Sequence, residues 1–179
     1  MFYYDKNLKE YEAKFSWDNA LICLEKLFIS KPSNEILNSL IGFSWYYLVE
    51  GAIESKKYGE DENTLALDMW SKYLRIGFDK YENDVGFCFI AGYTLLLHGF
   101  YIEEYKANND SVAIDLLKNA EKTDNAYLKE LVGCVLKMHS QKKYKPLKVK
   151  GEALRELFKN GSLLESYLKE LFASAEGCR

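Results

Sequence analysis

The sequence predicts an all-α fold, a degenerate array of stacked helical hairpins closed by a short C-terminal helical cap. Three observations lead there. Apolar residues recur at helical spacing, and no sustained strand alternation appears. Only two prolines, Pro32 and Pro146, occur in 179 residues, so helices run uninterrupted between them. A small-residue signature also recurs three times, an alanine on one apolar stretch and a glycine inside the next. The pairs are Ala20 with Gly42, Ala66 with Gly92, and Ala113 with Gly133. Glycine costs about 1 kcal/mol inside a helix, so matching positions point to close approach of two backbones.

The elements follow in order. A short leading segment, open to a helical turn of its own, precedes a first helix over about 16–29. Ala20, Leu21, Leu24, Leu27 and Phe28 form its apolar face. Lys31-Pro32-Ser33 ends it, and Ser33 is placed to cap a second helix to about residue 55. That helix is apolar all round between Leu40 and Val49, which puts it inside the stack. Gly59-Glu60-Asp61-Glu62-Asn63 reads as an acidic loop.

A third helix is expected over about 65–76, with Leu67, Trp70, Tyr73 and Leu74 inward and Gly77-Phe78-Asp79-Lys80 turning the chain. The fourth helix is the uncharged run from Val85 to Ile102. An acidic and aromatic connection, about 103–110, leads to helices near 112–120 and 126–138. Residues 1–140 then hold three hairpins and 141–151 a basic linker. Residues 152–179 hold two cap helices, near 152–159 and 163–174, within one domain. Ser162-Leu163-Leu164-Glu165 has the spacing of a capping box. The matched glycines stand about 50 and about 41 residues apart, nearer a HEAT-like length than the 34 of tetratricopeptide repeats.

Composition narrows the class. A hydrophobic fraction of 48% with 15% aromatics supports a substantial core. Residues 1–136 carry 14 basic and 22 acidic groups, a net of −8, whereas 137–179 carry 10 and 5, a net of +5. An acidic body disfavours direct nucleic-acid binding and suits a basic protein partner. Cys23, Cys88, Cys134 and Cys178 form no Cys-x-x-Cys pair and read as reduced core thiols of a cytoplasmic protein. Residues 1–5 lack the pattern of a secretory signal. The run 85–102 is marginal for a span of about 20 residues. It contains Gly86, Gly92, Gly99, Thr94 and His98 and reads as a buried helix, so no membrane association is expected.

Residues able to do chemistry are sparse. His98 lies in the fourth helix and reads as a packing residue. His139 lies at the end of the sixth, where a positive charge suits the helix dipole. Neither has a His or Cys partner at metal-ligand spacing, so no metal site is expected. No glycine-rich phosphate loop occurs, and Ser140-Gln141-Lys142-Lys143 matches a Ser-x-x-Lys pattern only in its letters. The acidic groups at 60–62 and 103–104 read as solvated loops rather than general acids. The six lysines between Lys137 and Lys150 surround a lone tyrosine, Tyr144, and read as a solvated linker. No cofactor and no enzymatic activity are expected.

Position supplies the functional signal. The two acidic loops each follow the second helix of a hairpin, so a side-by-side array brings them to one end. Tyr58, Glu60, Asp61 and Glu62 are then expected near Tyr101, Glu103, Glu104 and Tyr105, as a partner-binding surface. Tyrosine supplies anchored area and carboxylates supply steering.

The opening Met1-Phe2-Tyr3-Tyr4-Asp5 and the run Gly42-Phe43-Ser44-Trp45-Tyr46-Tyr47-Leu48, in a small acidic helical chain, resemble the immunity proteins of bacterial contact-dependent growth inhibition systems. The resemblance carries no shared motif, so it transfers no site residue. It implies a cytoplasmic antidote that binds a cognate toxin domain, often a nuclease acting on tRNA, and covers its active site. The alternative is a helical-repeat adaptor that holds partners together. A third class is an enzyme whose site is assembled only in three dimensions. An adaptor predicts a groove with a short peptide ligand, an immunity protein one tight salt-sensitive partner, and an enzyme a pocket of convergent polar groups. The oligomeric state, a homodimer included, is left open.

Overall fold

The computed structural model describes residues 1–51, 62–141, 149 and 151–173, with Gly51, Glu62, Asn63 and Gln141 described by their backbone alone. Among the described residues there are nine α-helices and no strand. They are α1 (Lys6–Ala13), α2 (Trp17–Ser30), α3 (Asn34–Tyr46), α4 (Glu62–Lys80), α5 (Val85–His98), α6 (Asn109–Glu121), α7 (Ala126–Gln141), α8 (Gly151–Leu157) and α9 (Leu163–Ala173). A π-helical turn, Tyr47–Gly51, continues α3, and a 3₁₀ turn, Gly99–Tyr101, continues α5. The fold is therefore all-α.

Capping chemistry sets many of the helix starts. Asp5 accepts from the Leu8 N–H at 2.9 Å, Ser33 from the Ile36 N–H at 3.3 Å, and Asp84 from the Phe87 N–H at 2.8 Å. Each satisfies a backbone donor that lacks an intrahelical partner. Helix α1 ends differently. Ser16 N–H bonds back to the Tyr11 carbonyl, and Phe15 takes φ +51°, the left-handed position that glycine usually fills.

Helix α3 is the centre of the fold. Every residue from Ile36 to Tyr46 is buried, and α2, α4, α5 and α9 all pack on it. Helix α5, buried from Phe87 to Leu95, packs on α3 and most closely on α6. Helix α7 covers α6, and α8 covers α7. The two C-terminal helices thus reach past the pair α6 and α7. While α8 lies on α7, α9 returns to the central helix, where Leu164 faces Gly42.

Several boundaries differ from expectation. Helix α4 does not stop at Gly77 but continues to Lys80, and the turn falls at 81–84. The reason is packing. A Cβ on Gly77 would lie 1.9 Å from the Phe87 ring, so this glycine seats a ring of α5 inside a continuous helix. The α-helical part of the second helix ends at Tyr46 before the π turn, and residues 52–55 of that expectation lie outside the described residues. Helix α6 starts three residues earlier than expected, at Asn109. Most of the basic linker, 142–148 and 150, also lies outside the described residues.

The three Ala–Gly pairs are not equivalent. Gly92 faces Ala113, Leu116 and Leu117 of α6 rather than Ala66, and a Cβ there would lie 2.9 Å from Leu117 Cγ. Gly42 faces Leu164, Phe2 and Ile90 rather than Ala20. Gly133 has only the Glu121 carboxylate nearby, at 3.5 Å. The alanines are all fully buried.

The N-terminal segment is fastened to the cap. Asn160 donates its amide to the Phe2 carbonyl at 3.0 Å, and Phe2 stacks on Phe158. Buried Glu12 accepts from the Leu163 N–H at 3.0 Å and from the Tyr4 hydroxyl. The Ser162 half of the capping box forms as expected, and the return bond from Glu165 falls one residue earlier, on Gly161. Ser162 Oγ accepts from the Glu165 N–H at 3.1 Å, while the Glu165 carboxylate accepts from the Gly161 N–H at 2.9 Å. Burial raises the Glu165 pKa above the ordinary carboxylate range, opposed by its backbone hydrogen bonds.

Candidate functional site: an aromatic and acidic surface at the end of α5

Helix α5 is buried until Leu95 and then emerges. Leu97 is 38% exposed, and Phe100 and Tyr101 are each 50% exposed. Close contact produces the presentation. A Cβ on Gly99 would stand 2.6 Å from Asn109 Cβ, so the chain turns tightly against the start of α6. Asn109 donates to the Leu95 carbonyl at 3.4 Å, and Ile102 is buried beyond the turn. Phe100 and Tyr101 are held outward between two fixed points.

His98 joins this surface to the core. Its Nδ1 accepts from the indole N–H of Trp45, a fully buried residue, at 3.0 Å. Its ring stacks on Tyr101 with centroids 6.0 Å apart and planes 13° from parallel. Burial lowers its pKa, opposed by the nearby charge of Glu50. Glu50 lies in the π turn and accepts from the Tyr167 hydroxyl at 2.9 Å. Tyr167 in turn packs on Trp45 and Tyr46.

The expected site residues separate. Tyr101 is exposed, and Glu103 is the most open, with 89% of its side chain accessible. Glu103 pairs with Lys106 at 3.3 Å, and Glu104 pairs with Nε of Arg75 at 2.7 Å. Tyr105 is buried against Phe78, ring centroids 5.7 Å apart, and burial pushes its pKa up to about 12. It anchors the loop from inside instead of facing a partner. Tyr58, Glu60 and Asp61 lie outside the described residues, and Glu62 begins α4 with its side chain undescribed. The juxtaposition of the two acidic loops therefore lies outside the described residues.

Sequence reading missed Leu97, Phe100, Glu50 and Tyr167 as members of this surface. Helix α5 is apolar on all sides, so its periodicity does not mark the point of emergence. The Gly99-Phe100-Tyr101 triplet was the available signal. A glycine ahead of two aromatics, next to the acids at 103–104, marks a helix end better than its continuation.

A second exposed apolar group lies elsewhere. Ile22 and Ile29, seven residues apart on α2, are 38% and 71% exposed, and Phe15, in the turn ahead of that helix, is 49% exposed. Tyr11, Ile22, Cys23, Lys26 and Leu27 line a shallow groove beside them. Cys23, Cys88 and Cys134 are free thiols, and burial pushes that of Cys88 up to about 11. Among the described residues no group of three or more His, Cys, Asp or Glu side chains could hold a metal ion, and no helix is long and apolar enough to cross a membrane. Compared with family models, curated proteins and solved structures, the chain matches none.

Proposed function

We propose that this chain is a binding protein of the immunity type, which neutralises a basic toxin domain, a nuclease acting on tRNA, by covering its active site. The observation that carries the reading is the exposed Leu97, Phe100 and Tyr101 surface beside Glu103 and Glu104. Aromatic area supplies binding energy at interface centres, and surrounding acids speed encounter with a basic partner. The Arg75–Glu104 and Lys106–Glu103 pairs are exposed, and such pairs hold weakly. A partner's cations can replace them at small cost.

The test is co-expression with the toxic domain encoded beside this chain. The unaltered protein should restore growth. The double variant Glu103→Lys, Glu104→Lys should associate more slowly at low salt and protect less, and high salt should narrow the difference. Full protection with unchanged association would move the interface elsewhere. The adaptor reading draws on the separate Phe15, Ile22 and Ile29 stripe, since two apolar surfaces suit two partners. Absence of any toxic partner, with retention of two different proteins at once, would select it.

A further inference from the structure

Four rings form a path from the core to solvent. Trp45 packs on His98 with centroids 5.8 Å apart, His98 stacks on Tyr101, and Tyr101 lies 4.5 Å from Phe100. Glu50 is held beside the inner part of this path: its carboxylate accepts from the Tyr167 hydroxyl at 2.9 Å, and the Tyr167 ring packs on Trp45 with centroids 5.9 Å apart. Among the described residues no lysine or arginine pairs with Glu50. A half-buried carboxylate next to stacked ring faces is complementary to a cation that is itself flat.

We propose that this cluster seats an arginine side chain of a basic protein partner. The guanidinium lies over the exposed ring of Tyr101 beside His98, and Glu50 supplies the counter-charge. A planar guanidinium stacks on rings and keeps its in-plane donors for the carboxylate. A lysine ammonium is a compact, strongly hydrated point charge that makes poorer use of a stacked face. Phosphate-bearing partners are disfavoured, because Glu103 and Glu104 present accessible carboxylates just beyond this end of α5. The inference rests on the proposed recognition of a basic protein, and it names the side chain that protein inserts.

The test uses the full chain and two labelled probes of equal length, an oligo-arginine and an oligo-lysine peptide, with binding followed by fluorescence anisotropy at low salt. The arginine probe should bind about fivefold or more tightly than the lysine probe. Glu50→Gln and Tyr101→Ala should each weaken the arginine probe by about tenfold and shrink its advantage. Glu103→Gln should weaken both probes equally and slightly. Circular dichroism confirms that each variant keeps its helices, and Tyr101→Phe should restore arginine preference if the ring face is the contact. Equal affinity for the two probes, or an arginine preference untouched by Glu50→Gln and Tyr101→Ala, would overturn the seat. The two proposals fail separately. Neutralisation of a toxin domain that is insensitive to these variants discards the seat and keeps the immunity reading. A selective arginine seat in a protein that protects against no toxin does the reverse.

Discussion

The indole N–H of Trp45 fixes the protonation state of His98. An indole nitrogen only donates, so Nδ1 of His98 must carry a lone pair and the ring proton sits on Nε2. Protonating His98 would place a proton on each side of that contact and leave a fully buried indole N–H without its acceptor.

Stability should therefore fall on acidification. The pKa of His98 is lowered in the folded state from an ordinary 6.5. Above that value neither state binds the proton, and the contribution is fully present. Below it the unfolded chain protonates first, and stability is lost as pH falls toward the folded pKa. The melting temperature of the unaltered protein should drop more steeply below about pH 6.5 than that of His98→Gln, whose amide oxygen accepts the indole N–H without titrating. Parallel pH profiles would place the acid sensitivity on another group.

Gly92 and Gly133 should respond to alanine with opposite signs. At Gly92 the new methyl meets Leu117 Cγ at 2.9 Å and the Ala113 carbonyl at 3.0 Å. Overpacking of this kind costs about 1–3 kcal/mol, more than the gain in helix propensity. At Gly133 the nearest atom is a carboxylate oxygen at 3.5 Å, so the propensity gain of up to about 1 kcal/mol stands alone. Denaturant melts of the two variants decide this, and matching shifts would refute the difference in packing.

Gly77→Ala should be more damaging than either. Its methyl would fall 1.9 Å from one Phe87 ring atom and 2.6 Å from two others. The ring cannot shorten, and it also meets Phe78 edge-on at 5.6 Å. A loss at or above about 3 kcal/mol is expected. A double variant with Phe87→Leu should recover part of it. Additive losses would show that the two positions do not share one space.

The same glycines show what was legible in the sequence. Helical periodicity locates eight of the nine α-helices among the described residues, and the short leading segment, open to a helical turn, is the ninth. Caps at Ser33 and Ser162 were legible because their chemistry is local. Which helix a glycine faces was not, because Ala66 and Ala113 are equally apolar and lie at similar distances along the chain, 26 and 21 residues, on either side of Gly92. Only the chain's path brings α6 rather than α4 against it. The candidate surface was half legible. Tyr101 and Glu103 follow from composition, whereas Tyr105 differs from Tyr101 only through burial against Phe78, a contact across 27 residues of sequence. Glu50 and Tyr167 meet across 117 residues, and no local pattern announces such a pair.

Glu12→Ala should destabilise the molecule through the loss of a buried acceptor. The carboxylate accepts from the Leu163 N–H and the Tyr4 hydroxyl. Removing it leaves two donors without this acceptor, at about 1–3 kcal/mol each where they stay buried. Glu12→Gln keeps an acceptor oxygen and should lose less. Hydrogen exchange of the Leu163 amide reads the effect directly, and unchanged protection in Glu12→Ala would show that another group takes its place.

The bond between Asn160 and the Phe2 carbonyl, 158 residues apart, has a consequence for synthesis. A ribosome delivers Phe2 158 residues ahead of Asn160, so the opening segment waits for that partner while the helices between them emerge. During that interval Tyr3 can already bond Glu35 and Ser39 of α3, but Gly42 lacks Leu164 over it, and the central helix shows an uncovered apolar strip there. Closing so long a loop carries an entropic cost that grows only slowly with length. The delay is therefore set by translation and not by the energetics of docking. A chain halted before residue 160 would keep that strip open, and it is the species a chaperone would meet.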